Sequence, residues 1–327
     1  MRSFAYSRAA DPADALDAFR RDSAYLGGGT NLVDLMRLGV TAPDNLIDVT
    51  GATSGQVDER PGGGLLIGAA VRNADLAADR RVRERYPMLA RAVLDGASGQ
   101  VRNMATVAGN LLQRTRCPYF QDVGVACNKR SPGSGCQALA PGAETVNLAI
   151  LGQSEACVAT HPSDMAVALT ALGATIHTCG PAASEDRRIP MPGLHRLPGA
   201  SPERDTVLAP GELVTAVELP PPPPGRSTYR KVRERASFAF ALVSVAAILE
   251  VAEGTVTSCR LALGGVAHAP WRCHRAEQAL AGQPATAGSY ARAAEAELAA
   301  ARPLPGNEYK VTLARNLMPA VLEELSA

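Results

Sequence analysis

The chain has 327 residues, of which 46% are hydrophobic and 20% charged, with 33 Lys and Arg against 32 Asp and Glu. At about 150 residues per domain this is roughly two domains with cores of their own, which excludes a disulfide-stapled miniprotein. The near-neutral charge excludes the basic footprint of a nucleic-acid binder, and the apolar content excludes wholesale disorder.

The N-terminal stretch MRSFAYSRAADPADALDAF has no uninterrupted apolar run and carries Asp11, Asp14 and Asp17, so no signal peptide is expected there. Asp11-Pro12 is a helix start signal, and Ala15, Leu16 and Phe19 share one face of a helix over 13–21. Tyr25-Leu26 then runs into Gly27-Gly28-Gly29-Thr30-Asn31 and a short helix to Leu38, a strand, glycine loop and helix in succession. Short strands are expected over 45–49 and 64–68, and an Ala, Leu and Arg-rich helix over 74–95. Between 113 and 156 Pro118, Pro132, Gly133, Gly135, Pro141 and Gly142 break every period, and the segment reads as a long insertion loop. An irregular stretch of that size is uncommon in a compact domain and calls for a cause such as a bound cofactor. A helix is expected over 162–172. The proline run Pro220–Pro224 reads as an extended linker between lobes. Beyond it, 228–251 and 255–266 read as strands and 272–282, 286–301 and 308–325 as helices, a small α+β unit. The longest weakly polar run, 236–249, is shorter than the roughly 20 residues of a membrane span.

Three successive glycines let a backbone turn tightly and offer several N–H groups to a pyrophosphate, although Gly27-Gly28-Gly29-Thr30-Asn31 matches neither GxGxxG nor GxxxxGK[ST]. Thr106-Val107-Ala108-Gly109-Asn110 is a second small-residue turn; together the two suggest a diphosphate gripped from both sides, and singly either is an ordinary turn. Seven cysteines occur, and four of them form the series Cys117-x9-Cys127-x8-Cys136-x20-Cys157. An odd total argues against a disulfide framework and for metal chemistry. Four thiolates suit an iron–sulfur cluster or a zinc ion, and buried unreactive thiols are the bland alternative. Cys179, Cys259 and Cys273 read as bystanders. Arg114, Arg116, Lys129 and Arg130 would offset a tetrathiolate, or are solvated loop charges. His161 could replace one cysteine as a ligand. Asp164 either caps a helix or accepts from ribityl hydroxyls. Tyr229-Arg230-Lys231-Val232-Arg233-Glu234-Arg235 alternates positive charge along a strand, either as a polar sheet face or with Lys231 beside a flavin ring.

The stretches GGGTNLVDLMRL, LIGAAVRNADLA, GASGQVRNMATVAGNLLQRTRCPYF, CNKRSPGSGC, SEACVATHPSDMAVAL, YRKVRERASFAFALVSVAA and GGVAHAPWR span nearly the whole chain. They resemble the FAD-binding subunits of the xanthine dehydrogenase, or molybdenum hydroxylase, family, in particular the branch of the bacterial periplasmic aldehyde oxidoreductases. The resemblance implies an α+β fold. A two-lobed FAD-binding domain of the vanillyl-alcohol-oxidase (PCMH) type would fill 1–222, with lobes of about 1–55 and 56–222 and a 4Fe-4S insertion loop at about 113–157. A C-terminal three-stranded sheet with helices, of the CO dehydrogenase flavoprotein type, would fill 223–327.

It also implies that the FAD pyrophosphate sits on Ala24, Tyr25, Leu26, Gly27, Gly28, Gly29, Thr30, Asn31 and Leu32. Thr106, Gly109 and Asn110 would belong to the second FAD loop, Asp164 would hold the ribityl chain, Val214 would lie near the ring through its backbone, and Lys231 would contact the ring or its approach. Cys117, Cys127, Cys136 and Cys157 would bind the 4Fe-4S cluster. No side chain is expected to be catalytic, since the flavin carries the redox chemistry. Electrons would arrive from 2Fe-2S clusters of a small partner subunit, after aldehyde oxidation at a molybdenum cofactor in a large one, and leave through FAD to an external acceptor. A heterotrimer follows, carried to the periplasm by a signal on a partner or remaining in the cytoplasm. The related readings are a flavin and 4Fe-4S subunit of a 4-hydroxybenzoyl-CoA reductase-like or xanthine dehydrogenase-like enzyme. The reading outside redox chemistry is a zinc-stabilised interaction module.

Overall fold

The computed structural model of the chain describes residues 1–180 and 186–327. Its first sheet is small and parallel, with β1 (Ala5–Arg8), β2 (Ser23–Leu26) and β3 (Asn45–Asp48) in the order β1-β3-β2 and with α1 (Pro12–Ala18) and α2 (Leu32–Arg37) as crossovers. Asp11 starts α1 by accepting the Asp14 amide at 2.8 Å, with Pro12 in the first turn. The helix stops at Ala18, short of the expected 21, where Phe19 turns extended and packs on Tyr25 with ring centroids 5.0 Å apart.

The second sheet is antiparallel and is built from distant parts of the chain. After β4 (Val57–Glu59) and β5 (Leu65–Gly68) come α3 (Asn73–Ala78), α4 (Arg80–Arg85), α5 (Pro87–Asp95), α6 (Gly99–Met104), α7 (Val107–Leu111), α8 (Pro118–Gln121) and α9 (Asp164–Leu172). Then β6 (Thr175–Cys179), β7 (Arg187–Pro190), α10 (Met191–Leu194) and β8 (Leu213–Leu219) complete the order β4-β5-β8-β6-β7. The single helix expected over 74–95 is therefore three. Asp79 leaves helical geometry at ψ 126° to cap α4 through the Arg81 and Val82 amides. Pro87 forces Tyr86 out of the helical region (φ −134°, ψ 54°) before it opens α5.

The third sheet starts after the proline run. It comprises β9 (Arg226–Val232), β10 (Val243–Ala252), β11 (Thr255–Gly264) and the two-residue edge strand β12 (Trp271–Arg272), in the order β12-β11-β10-β9. The expected three strands thus gain a short fourth. Three helices follow: α11 (His274–Leu280), α12 (Ala287–Leu298) and α13 (Tyr309–Ser326). The continuous strand expected over 228–251 is a hairpin. Val232 pairs with Val243, the Leu242 amide donates to the Val232 carbonyl at 2.9 Å, and Phe238 takes φ 51° in the loop between. The apolar run hides this turn because Phe238 and Phe240 are exposed loop residues.

Along β10 the side chains alternate between two cores. Ala246 and Ile248 join the main core with the second sheet, α5 and α9, whereas Val245, Ala247 and Leu249 pack against α11 to α13. Burial on both faces explains why this strand reads as one apolar run. Helix α9 is capped by the Ser163 hydroxyl, closed by Gly173 at φ 72°, and buried all round between α5 and the third sheet. Segment 113–156 is an ordered loop holding α8 and a 3-10 turn, Gln137–Leu139, around a small core of Leu35, Phe120, Ala138, Leu148 and three of the cysteines. The chain before and within α13 straps it down. Arg302 donates its amide to the Ile150 carbonyl at 2.8 Å, and Lys310 Nζ donates to the Leu148 carbonyl at 3.0 Å. Among the described residues no helix is long and apolar enough to cross a membrane.

Candidate cofactor site

The two small-residue loops pack directly on each other. Ala24, Tyr25 and Leu26 form β2, Gly27 to Thr30 make the turn, and Asn31 and Leu32 begin α2. A Cβ on Gly28 would lie 1.8 Å from the Met104 carbonyl oxygen, and one on Gly27 would lie 2.8 Å from Thr106 Oγ1. Gly29 turns at φ 73°. The glycines are therefore required first by loop packing, and that packing brings the backbone of 27–29 beside Thr106. Thr106 caps α7 by accepting the Gly109 amide at 3.2 Å, and Gly109 is itself bare against the same hydroxyl, a Cβ there lying 2.9 Å away.

From the second loop the contacts run on to α9. Ser163 donates its hydroxyl to Asn110 Oδ1 at 2.5 Å, and the next residue is Asp164. Asp164 is buried; its Oδ2 pairs with Lys231 Nζ at 2.7 Å and its Oδ1 accepts from the Tyr229 hydroxyl. Lys231 also donates to the Asp95 carbonyl at 3.0 Å, and Arg233 does so at 3.1 Å. Burial pushes the Asp164 carboxyl above its ordinary range, opposed by the Lys231 cation and the Tyr229 bond, while burial and the Asp164 charge drive the Tyr229 hydroxyl well up. A carboxylate offers about four lone-pair sites, so after Lys231 and Tyr229 this one keeps capacity for a hydroxyl. Helix α9 fixes Asp164, and strand β9 presents Tyr229 and Lys231 to it on one face by its period of two, while Arg233, just past the strand, pairs with Asp95 instead. That period is the signal by which Tyr229 could have been found.

Val214 stands apart. Its side chain lies in the main core, and β8 approaches the glycine strand through Gly211, whose carbonyl accepts from the Tyr25 hydroxyl at 2.8 Å.

Cys117, Cys127, Cys136 and Cys157 converge. All four line one cavity, together with Phe120, Asn128 and Lys129, and Cys127 pairs with Cys136 across a β-bridge. Backbone amides point at the sulfurs: those of Tyr119 and Phe120 at Cys117, of Ala138, Leu139 and Val158 at Cys136, and of Ala159 at Cys157. Burial disfavours the thiolates of Cys117 and Cys157, pushing the first up to about 12 and the second to about 11, with Lys129 opposing in the second case. Among the described residues no three His, Cys, Asp or Glu side chains are placed to share one metal ion. His161 is not a cavity residue. Its ring accepts the Ser163 amide at Nδ1, meets the Leu111 carbonyl and packs on His195 with centroids 4.2 Å apart. Cys179, Cys259 and Cys273 lie on β6, β11 and the start of α11, away from the cavity. The loop cations are tied rather than free: Arg130 to the Tyr119 and Phe120 carbonyls, Arg116 over the Phe240 ring at 5.0 Å, and Arg114 and Lys129 to Asp205. Asp205 lies in no motif, so sequence reading misses it.

Residues 2–222 match the family described as FAD binding domain in molybdopterin dehydrogenase, and 227–325 match the CO dehydrogenase flavoprotein C-terminal domain. The chain is 50% identical to the aldehyde oxidoreductase FAD-binding subunit PaoB of Escherichia coli strain K12, over 100% of this chain and 99% of that one. It is 26% identical to the glyceraldehyde dehydrogenase medium chain of Sulfolobus acidocaldarius, over 86% of this chain and 82% of that one. In fold it superposes on a chain of carbon monoxide dehydrogenase from Hydrogenophaga pseudoflava with a TM-score of 0.76 at 23% identity, covering 99% of this chain and 98% of that one. Paired loops, a buried carboxylate beside a strand of cations and two family matches that together span the chain lead to one placement: it belongs to the FAD-binding medium subunits of the molybdenum hydroxylases and is an FAD-dependent oxidoreductase subunit.

Proposed function

We propose that this chain is the flavin and 4Fe-4S electron-transfer subunit of a molybdenum-dependent aldehyde oxidoreductase. The observation that carries the reading is the 50% identity to an aldehyde oxidoreductase FAD-binding subunit over the full length of both chains. FAD would convert one-electron arrivals into a two-electron departure, and the chain's own residues hold and orient it. Gly27, Gly28, Gly29, Thr30, Asn31, Thr106, Gly109 and Asn110 take the pyrophosphate, Asp164 takes a ribityl hydroxyl with its free lone pairs, and Lys231, paired with that carboxylate, contacts the ring or its approach. Val214 contributes its backbone.

The cysteine cavity supports the cluster part of the reading. A single zinc needs four sulfurs at about 2.3 Å from one ion, whereas a cubane spreads its four thiolates over separate irons. Four cysteines around one cavity supply the thiolate count of a cubane. Amides directed at the sulfurs are the donors that a thiolate-bound cluster uses. The partners are a small subunit with 2Fe-2S clusters and a large one with the molybdenum cofactor, in a heterotrimer that reaches the periplasm by co-export.

Anaerobic purification with the neighbouring subunits tests this directly. Flavin and iron are expected in the chain, and aldehyde is expected to bleach the flavin band only when all three subunits are present. Zinc without iron would remove the cluster, and a flavin bleached by a cytoplasm-retained complex would remove the export.

A further inference from the structure

One acidic side chain joins the two halves of the site. Asp205 Oδ1 pairs with the Lys129 ammonium, and its Oδ2 accepts from Arg114 Nε at 2.8 Å. Lys129 is 1% exposed at its side chain, donates also to the Pro202 carbonyl at 2.8 Å, and lines the same cavity as the four cysteines. Arg114 turns the other way. Its amide donates to Asn31 Oδ1 at 2.8 Å in the glycine loop, while its guanidinium lies 4.7 Å over the ring of Phe120, a further cavity residue. His268 also faces the carboxylate, with Nε2 at 3.8 Å from Oδ1.

We propose that Lys129, fixed by Asp205, sets the charge felt by the cluster that the cysteines hold, and that Asp205 is the positioning residue tying this setting to the glycine loop. The inference rests on the cluster reading above. Reducing a tetrathiolate cluster adds a negative charge to an anion, so a buried cation beside it favours the reduced form and raises its potential. Exposed charges are screened within about a Debye length; Lys129, out of solvent, is not. Neutralising Lys129 therefore lowers the potential, and neutralising its counter-ion raises it.

The test is an EPR-monitored redox titration of the 327-residue chain with its cofactors, alongside iron and FAD content. Lys129→Met is expected to lower the cluster midpoint, Asp205→Asn to raise it and Lys129→Arg to leave it unchanged; a merely structural role would not give opposite signs. FAD content is expected to fall in Asp205→Asn and to hold in Lys129→Met. Midpoints that shift in the same direction or stay still, with iron retained, overturn the charge assignment, and equal FAD content in the two variants overturns the tie to the glycine loop. If Lys129→Met loses iron, Lys129→Gln replaces it. Iron lost from Lys129→Met, Lys129→Gln and Asp205→Asn but kept in Lys129→Arg shows a purely structural role and also overturns the proposal. Absence of iron from the unaltered chain is a separate failure, that of the cluster reading itself.

Discussion

Replacing Asp164 by Ala removes the counter-ion of a cation that cannot reach water. Lys231 is 2% exposed and Asp164 7%, with their charged atoms 2.7 Å apart. Without the carboxylate, Lys231 keeps the Asp95 carbonyl at 3.0 Å and the Tyr229 hydroxyl loses its acceptor. Removing one partner of a buried pair costs about 3 to 5 kcal/mol, and an orphaned buried hydroxyl about 1 to 3 kcal/mol. Both losses come from one carboxylate and so do not add, which gives an expected loss of about 4 kcal/mol. Urea unfolding of the FAD-free chain measures it. Lys231→Met is expected to destabilise too, and the double variant Asp164→Ala/Lys231→Met should lose less than the two singles together, with a coupling of about 2 kcal/mol. Flavin occupancy is read on the same preparations and should fall in Asp164→Ala. A single variant within about 1 kcal/mol of the parent, with additive singles, would refute the buried pair, and full flavin occupancy would refute the ribityl role.

Gly28→Ala sets a Cβ 1.8 Å from a backbone oxygen that cannot rotate away. It should release FAD and cost about 3 kcal/mol, whereas Gly99→Ala, which meets nothing within 4 Å, should stay within about 1 kcal/mol of the parent. Cys127→Ser is expected to lose iron and to speed hydrogen exchange across 113–156; unchanged iron content would remove Cys127 from the ligand set. Lys310 supplies a pH dependence. Burial depresses this base to about 7, so between pH 7 and its unfolded value near 10.4 the unfolded chain binds a proton that the folded chain does not. Stability should therefore rise with pH through that window, by up to about 1.4 kcal/mol per unit, and Lys310→Met should flatten the rise. A parent curve as flat as the variant's would show that Lys310 is charged in place.

Local signals fared according to how local their physics is. Asp11-Pro12 marks a helix start because a cap is made within a few residues, and α1 begins there, whereas the helix expected from 162 begins at Asp164 and is capped by Ser163 rather than by Asp164. The helix expected over 74–95 failed at Asp79 and Pro87, two breakers that an Ala, Leu and Arg-rich composition outweighed on paper. The strand expected over 228–251 failed because exposed Phe238 and Phe240 read as core; apolar character cannot tell a buried side chain from one at a hairpin tip.

The sequence by itself determined the inventory: two loops that need small residues, four spaced cysteines in a segment without period, a carboxylate at a helix start and cations alternating on a strand. Each follows from residue type and short-range spacing. Only the tertiary structure decided the pairings. Lys231 finds Asp164 67 positions away, and Lys129 finds Asp205 76 positions away, because partners are set by which faces of α9, β9 and the insertion loop pack together. It also gave the glycines a second reason. Gly27 and Gly28 are bare because Met104 and Thr106 press against them, a steric demand from a loop about 80 residues further on that no local rule contains.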